Sequence, residues 1–236
     1  NAMACVELGH VEELLAALVA AGPGGRADAA AALLAHSRRV SGPLCAALSS
    51  YLRRIPRGGD GERDGGGGVI AFEVDGTGRV HSSALMDDAN LPSLLSLPLL
   101  GFMRADHPLY AATRAFVLSE ENPYFYSGVA GAGVGGPHTG PRQVWPMAVA
   151  VRALSSGNAT EIAACLATLL ATTAGTGLMH ESFDVDSPGG ASFSRPWFAW
   201  ANGLFGELVL QLVITHPQLV LRDDPGCGVE WPNTTH

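Results

Sequence analysis

The alternation of Ala- and Leu-rich stretches with Gly or Pro breakers most constrains what this chain can fold into. Segments 11–21 and 27–35 consist largely of residues with high helix propensity, and Gly22-Pro23-Gly24-Gly25 separates them. They predict an antiparallel pair of helices. A third helix is predicted over 43–54, followed by a flexible, charged, Gly-rich loop over 57–68.

One segment interrupts the helical pattern. Residues 69–75 are rich in β-branched and aromatic residues, and Gly76-Thr77-Gly78 then leads to a short partner near Val80, so one small β-hairpin is predicted near residues 69–83. Further helices are predicted after it, mostly with proline in the first turn, where the missing N–H costs no hydrogen bond. They span roughly 92–100, 108–118, 146–155, 159–174 and 196–215. The predicted fold class is mainly α.

Composition limits the partners. The 236 residues, 47% of them apolar, suffice for a single domain with its own core, predicted over residues 4–236. A net charge of −8 argues against nucleic acid or an anionic membrane, because phosphate binding requires a concentrated basic patch. The longest apolar run, 163–174, contains three threonines and is too short to span a bilayer.

The cysteines and the chain start carry weaker signals. The four cysteines lie far apart with no paired spacing, which predicts neither a zinc site nor a disulfide framework. They are Cys5, Cys45, Cys165 and Cys227. Asn158-Ala159-Thr160 and Asn233-Thr234-Thr235 fit the N-glycosylation pattern, which has meaning only in a secretory context. Asn1-Ala2-Met3 looks like a tag remnant that ends at a native methionine, so a targeting segment could have been removed or never present, and the localisation is left undetermined.

An aromatic cluster near the C-terminus indicates a sugar-binding site. Glu181 lies within a short stretch of Phe183, Trp197 and Trp200, with His180 and Arg195 close by. Indole faces stack on the apolar faces of pyranose rings, and polar side chains reach the hydroxyls. A carboxylate in such a pocket is a candidate acid or base for glycoside hydrolysis. The alternative is that the rings form the core face of a helix.

Two adjacent acids, Asp87 and Asp88, precede a predicted helix. Asp88 or Asn90 could cap that helix by accepting backbone N–H bonds. At least one carboxylate could instead bind vicinal sugar hydroxyls, and we expect a mixed role. Two carboxylates without a third ligand make a metal site the weaker interpretation, and no cofactor is predicted.

Four stretches resemble glycoside hydrolase family 125 in the same order. They are 86–98 (Met-Asp-Asp-Ala-Asn-Leu-Pro-Ser-Leu-Leu-Ser-Leu-Pro), 121–126 (Glu-Asn-Pro-Tyr-Phe-Tyr), Pro137-His138-Thr139 with Val144-Trp145-Pro146, and 180–183 with 194–202. The resemblance is close over about 68–213. It implies an (α/α)6-barrel-like arrangement of helical hairpins and an exo-acting, inverting, metal-independent α-1,6-mannosidase that acts on mannosides or mannose-containing glycans.

The same resemblance implies roles for individual residues. Glu181 is the expected general base. The expected sugar contacts are Asp87, Asp88, Asn90, His138, Trp145, His180, Arg195 and Trp197. Core packing is the open alternative for Trp145 and Trp197, and a structural hydrogen-bonding role is the alternative for the two histidines.

The general acid has no candidate by resemblance. In the family the proposed acid is an aspartate upstream of the hairpin, whereas the acids that precede it here lie in 7–13, at Asp28 and in 60–64, none in an aromatic setting. We therefore expect an incomplete barrel, the C-terminal half, whose open apolar faces favour a homo-oligomer. The alternative function is a non-catalytic carbohydrate-binding or interaction protein.

Overall fold

Helices dominate the computed structural model, which describes residues 1–51, 54–56, 68–74 and 84–221. The helices in these ranges are α1 (Ala2–Ala20), α2 (Gly25–Tyr51), α3 (Pro108–Val117), α4 (Pro146–Leu154), α5 (Ala159–Ala171) and α6 (Ala199–Thr215). The strands are β1 (Arg54–Pro56), β2 (Gly68–Ile70), β3 (Phe125–Gly128), β4 (Gly131–Val134), β5 (Gln143–Val144), β6 (Ser182–Asp184) and β7 (Phe193–Ser194). The predicted mainly α class is confirmed.

The first two helices form the predicted antiparallel pair, with one correction. Helix α2 continues through Pro43 to Tyr51, so the separate helix predicted over 43–54 was wrong. Proline removes one intrahelical hydrogen bond. Contacts with α1 on both sides of Pro43 compensate, because Ser41 Oγ donates to Glu12 on one side and Cys45 bonds to Cys5 on the other.

The Cys5–Cys45 contact is a disulfide, with 5.5 Å between the two Cα atoms. The expectation that the cysteines form no disulfide was therefore wrong. The disulfide could not be predicted from cysteine spacing alone, because 40 residues separate the two positions. The signal lay in the hairpin: both cysteines lie at comparable distances from the Gly22–Gly25 breaker, on helices that run antiparallel. Cys165 is a free thiol in the core, and burial raises its pKa to about 11.

Strand β2 is shorter than the strand predicted over 69–75. It pairs antiparallel with β1, so its described partner precedes it in the chain. The partner expected near Val80 and the loop over 57–67 lie outside the described residues. Val69 and Ile70 are buried, and the Ile70 N–H donates to Thr113 Oγ1 of α3 over 3.0 Å. The strand is thus fastened to the helical core, and just beyond it the Phe72 N–H donates to the Ala84 carbonyl oxygen over 3.0 Å.

The segment 92–100, predicted as a helix, is a series of turns. Its backbone N–H groups donate to side chains instead of to helical carbonyls. The Asp87 carboxylate accepts from Leu94 N and Leu95 N. Ser96 Oγ accepts from Ser93 N, and Ser93 Oγ accepts from Ser96 N. These local bonds compete with the helical pattern.

The predicted long loop 119–143 contains a missed β-hairpin, in which β3 pairs antiparallel with β4. A Cβ on Gly133 would lie 2.8 Å from Val144 Cγ1, and one on Gly135 would lie 2.0 Å from the Gln143 carbonyl oxygen. The glycines therefore allow the chain to pack closely against its own next strand. That strand, β5, starts a third antiparallel sheet in the order β5-β6-β7.

The core lies in the region after residue 68. Every residue of α4 except Arg152 is buried, and α5, α6 and strand β4 pack around this helix. Helices α3 to α6 lie where the sequence predicted them, although α5 ends at Ala171 and α6 starts at Ala199. None of the helices in the described ranges has the length and apolar character needed to cross a membrane.

Candidate active site

Glu181 directly precedes β6, the central strand of the β5-β6-β7 sheet. Its backbone N–H donates to the Ser194 carbonyl of β7 over 3.2 Å. The preceding segment is held by Asn202 of α6, whose amide accepts from Met179 N and donates to Met179 O. The Glu181 side chain is only 13% exposed. The sheet and α6 therefore fix a partly buried carboxylate in one position.

A short chain of polar side chains leads from the sheet to this carboxylate. Ser194 Oγ donates to Glu181 Oε2 over 2.9 Å, and Ser182 Oγ lies 2.8 Å from Ser194 Oγ and 3.1 Å from Gln143 Oε1. Two hydroxyls carry two protons for these three contacts. An amide rotation of Gln143 that presents Nε2 to Ser182 supplies the third proton, and every donor then points towards Glu181.

Arg195 provides a positive charge beside the carboxylate. Its Nε lies 3.4 Å from Glu181 Oε2, and its guanidinium lies 5.5 Å from the centre of the Phe198 ring. Its side chain is 63% exposed, so the head group remains open to a ligand. Its backbone has φ 47°, an uncommon conformation for a residue other than glycine that is found often at functional sites.

Ring contacts connect Glu181's surroundings to the Asp88 loop. Phe198, beneath Arg195, packs edge-on against Trp145 at 6.0 Å, and Trp145 lies 6.5 Å from the His138 ring. His138 Nε2 lies 3.1 Å from Asp88 Oδ2. The structure thus joins four of the predicted residues, Asp88, His138, Trp145 and Arg195, through one series of contacts that ends at Glu181.

The Asp88 side chain has a defined set of partners. Its Oδ1 accepts from the backbone and side-chain nitrogens of Asn90, at 2.9 and 3.2 Å. A Cβ on Gly136 would lie 2.7 Å from Asp88 Oδ1, so glycine is required there for the β4 end to approach. Asp88 is nearly buried, whereas the His138 side chain is 57% exposed. The pair presents the imidazole, rather than the carboxylate, to solvent.

The tryptophans divide into two groups. Trp145 is 3% exposed and its Nε1–H donates to Thr139 Oγ1 over 2.8 Å, so its ring has almost no free surface for sugar stacking. The position of Trp145 agrees with the alternative interpretation, in which its ring packs in the core. Trp197 is 59% exposed and Trp200 is 52% exposed, at the start of α6. Exposed indoles close to Glu181 and Arg195 in the chain are suited to stacking.

Two of the residues expected to contact sugar, Asp87 and His180, are buried and bonded to the protein itself. Asp87 is 1% exposed, and its two oxygens accept from Leu94 N and Leu95 N at 2.8 and 3.0 Å. Burial raises its pKa from 3.8 to about 7, against the lowering effect of these hydrogen bonds. The capping role expected for Asp88 or Asn90 therefore belongs largely to Asp87.

His180 is fully buried. Its ring stacks on Phe193 at 3.8 Å, and its two nitrogens lie 2.9 and 3.1 Å from the carbonyl oxygens of Pro196 and Thr173. Protein contacts occupy both nitrogens and one ring face in this structure, and the expected direct sugar contact of His180 stays a prediction. The ring fixes the backbone next to Glu181.

Further acidic groups near the site form ion pairs of their own. Asp186 accepts from Nε and Nη2 of Arg142, and the same Nη2 also donates to the Ser127 carbonyl oxygen. Within the described ranges, the polar partners of Glu181 are Ser194, Ser194's backbone and Arg195, and no group of three His, Cys, Asp or Glu side chains could hold a metal ion.

Sequence similarity decides the family. The family model "Metal-independent alpha-mannosidase (GH125)" matches residues 1–210. The chain belongs to this family. The meiotically up-regulated gene 157 protein of Schizosaccharomyces pombe is 44% identical over 224 residues, which cover 94% of this chain and 40% of that protein.

A solved structure from Streptococcus pneumoniae shows the same fold. It represents metal-independent alpha mannosidases in a non-productive substrate complex with α-1,6-mannobiose. The two are 38% identical with a TM-score of 0.77, over 90% of this chain and 46% of that chain. This likeness confirms the helical, (α/α)-barrel-like class of fold. The chain spans less than half the length of either relative.

Proposed function

We propose that this GH125 chain carries the base-bearing part of an inverting α-mannosidase site, with Glu181 as the general base. The observation that carries the proposal is the placement of Glu181. It is a mostly buried carboxylate held by Ser194, with an exposed arginine beside it and exposed indoles following in the same segment. A base must be held in a fixed direction to activate water efficiently.

The mechanism assigns a step to each group. Glu181 removes a proton from a water that attacks the anomeric carbon, on the face opposite to the leaving oxygen. A protonated carboxyl group, roughly 6.5–9.5 Å from Glu181, donates a proton to that oxygen. Arg195 and His138 bind hydroxyl groups of the sugar, Asn90 and Asp88 orient His138, and Trp197 stacks on the ring.

The proposed substrate is a non-reducing terminal mannose in α-1,6 linkage. Support comes from the solved relative, whose complex contains α-1,6-mannobiose, together with family membership. The acid is the one role for which we assign no residue within the described ranges.

An NMR time course with α-1,6-mannobiose tests this proposal. We expect β-mannose as the first product, and we expect Glu181→Gln to lose it. The matched control is Glu207→Gln, an exposed glutamate on α6. Release of α-mannose first would contradict inversion, and equal rates for the parent and Glu181→Gln would contradict the base assignment.

A second substrate separates the base from the acid. The fluoride of α-mannosyl fluoride departs without a proton donor, so a site with Glu181 alone hydrolyses it while leaving mannobiose intact. The second candidate function, a non-catalytic mannoside-binding protein, follows from having no residue assigned as the acid within the described ranges. It predicts saturable mannobiose binding with neither substrate turned over.

A further inference from the structure

The turn between α4 and α5 carries a sequence pattern that the proposed site does not use. Asn158, Ala159 and Thr160 form an Asn-X-Thr triplet, and all three are exposed. Asn158 is the N-cap of α5: its Oδ1 accepts from Thr160 N at 2.9 Å and from Glu161 N at 3.3 Å. The acceptor asparagine is therefore presented at the surface in one orientation.

The cap leaves the reactive atom unused. Both cap bonds go to Oδ1, and Nδ2 has no hydrogen-bond partner in the part of the chain that the structure describes. N-glycosylation takes place at Nδ2 and converts the primary amide to a secondary amide, while Oδ1 stays an acceptor. A glycan on Nδ2 is thus compatible with the capped start of α5.

The turn is also fixed from the side of the protein. Ser156 Oγ accepts from Asn158 N at 3.1 Å and donates to Glu161 Oε2 at 2.6 Å. Glu161 in turn pairs with Arg114 and Arg152 at 2.8 and 2.7 Å. Helix α4, with 9 residues, separates this turn from Trp145 by about 13 Å. A glycan at Asn158 would therefore be attached at the opposite end of α4 from the candidate active site.

A second, independent feature supplies the secretory context that the triplet requires. The Cys5–Cys45 disulfide joins α1 to α2, far from α5 along the chain. Disulfides of this structural kind form and persist in oxidising compartments, where glycan transfer to asparagine also takes place, and are rare where thiols are kept reduced. The two features require the same compartment.

We propose that Asn158 is an N-glycosylation site and that the protein matures in an oxidising secretory compartment. In the transfer, Nδ2 forms a bond to C1 of an oligosaccharide carried on a lipid diphosphate. The bond from C1 to the diphosphate oxygen breaks, the lipid diphosphate leaves, and the nitrogen loses one proton. No oxidation or reduction accompanies this step.

Mass spectrometry of the natural protein from its source tests the proposal. After amidase removal of N-glycans in heavy-oxygen water, Asn158 should appear as labelled aspartate, and the unreduced digest should contain a Cys5 peptide joined to a Cys45 peptide. Thr160→Ala, expressed in the same cells, should abolish the label without touching the Oδ1 cap. Thr160→Ser is the matched control and should retain it.

Three results would overturn the proposal. They are an unmodified Asn158 peptide from the natural protein, free thiols at Cys5 and Cys45 in protein alkylated before lysis, or a label on Asn158 that persists in Thr160→Ala. None of these measurements depends on mannosidase activity, so the proposal stands or falls independently of the role of Glu181.

Discussion

The α1–α2 hairpin and the region from residue 84 to 221 bury their apolar residues very differently. In α1 no residue is buried, and Leu14, Leu18 and Leu33 of the hairpin are 67%, 56% and 58% exposed. In the second region, α4 is almost completely buried and Tyr110, Phe183 and Leu208 are fully enclosed.

The comparison shows two ways of holding a helical segment in place. The hairpin depends on a disulfide and on a few polar contacts around Glu12, whereas the second region depends on apolar burial, which contributes roughly 25 cal/mol per Å². The candidate active site lies in the second region. The side chains around Glu181 are therefore positioned by the region that has a continuous apolar core.

Helix α6 allows the sharpest test of this difference, because it has both kinds of position. Leu208 is fully buried and Ile214 is 82% exposed. We expect Leu208→Ala to lower the free energy of unfolding by about 2–5 kcal/mol, and Ile214→Ala to change it by less than about 0.5 kcal/mol. Urea unfolding measures both. A large loss for Ile214→Ala would show that its face is covered in solution.

If Ile214→Ala is strongly destabilised, the predicted explanation is that a second copy of the chain covers this face of α6. The exposed residues of the hairpin and Leu210 and Ile214 of α6 supply apolar surface that self-association can bury. Sedimentation of the parent chain and Ile214→Ser then distinguishes an oligomer from a monomer, and a monomeric parent would contradict the predicted homo-oligomer.

Removal of the disulfide should affect the hairpin first. For a closed loop of 40 residues, loss of the Cys5–Cys45 bond in Cys5→Ser/Cys45→Ser is expected to cost about 2–4 kcal/mol. Hydrogen exchange should accelerate in α1 and α2 while α4 stays protected. Equal acceleration in both regions would mean that they unfold as one unit.

The buried carboxyl of Asp87 should make the second region sensitive to pH. Because its pKa is raised from 3.8 to about 7, the folded state binds a proton more tightly than the unfolded chain. The stabilisation that Asp87 adds to the free energy of unfolding is therefore fully present below about pH 4 and is lost as the pH rises towards 7. The free energy of unfolding then falls by at most about 1.4 kcal/mol per pH unit. Asp87→Asn should flatten that slope in urea unfolding measured across this range, whereas an unchanged slope would show that other groups dominate.

The smallest expected effect concerns the polar chain at Glu181. Ser194→Ala removes one hydrogen bond to the carboxylate and should lower the rate of mannoside hydrolysis about tenfold, with little change in unfolding free energy. Ser192→Ala, an exposed serine two residues earlier, is the matched control. A similar loss in both variants would show that the β7 edge, rather than the Ser194 hydroxyl, supports activity.

Prediction from sequence succeeded where the signal is local. The starts of α3 and α4 follow from Pro108 and Pro146, since the effect of a first-turn proline depends only on neighbouring residues. It failed at 92–100, at the β3–β4 hairpin and at Pro43. In each of these places, distant contacts or side-chain acceptors decide the local conformation.

The candidate site shows the same division. The sequence singled out Glu181, Arg195 and Trp197, because a carboxylate among rings and an arginine is recognisable in any arrangement. It could not separate Asp87 from Asp88, or His138 from His180. Burial and the direction of each hydrogen bond separate these residues, and both depend on segments far away in the chain.

The sequence by itself therefore determined the helical class, the family resemblance and the identity of the charged and aromatic residues near Glu181. Only the tertiary structure decided which of them meet. It placed Asp87 and His180 inside as supports, left His138, Arg195 and Trp197 at the surface, and joined Cys5 to Cys45. The physical reason is that propensity and capping act over a few residues, whereas burial and hydrogen bonding depend on which distant segments share a surface.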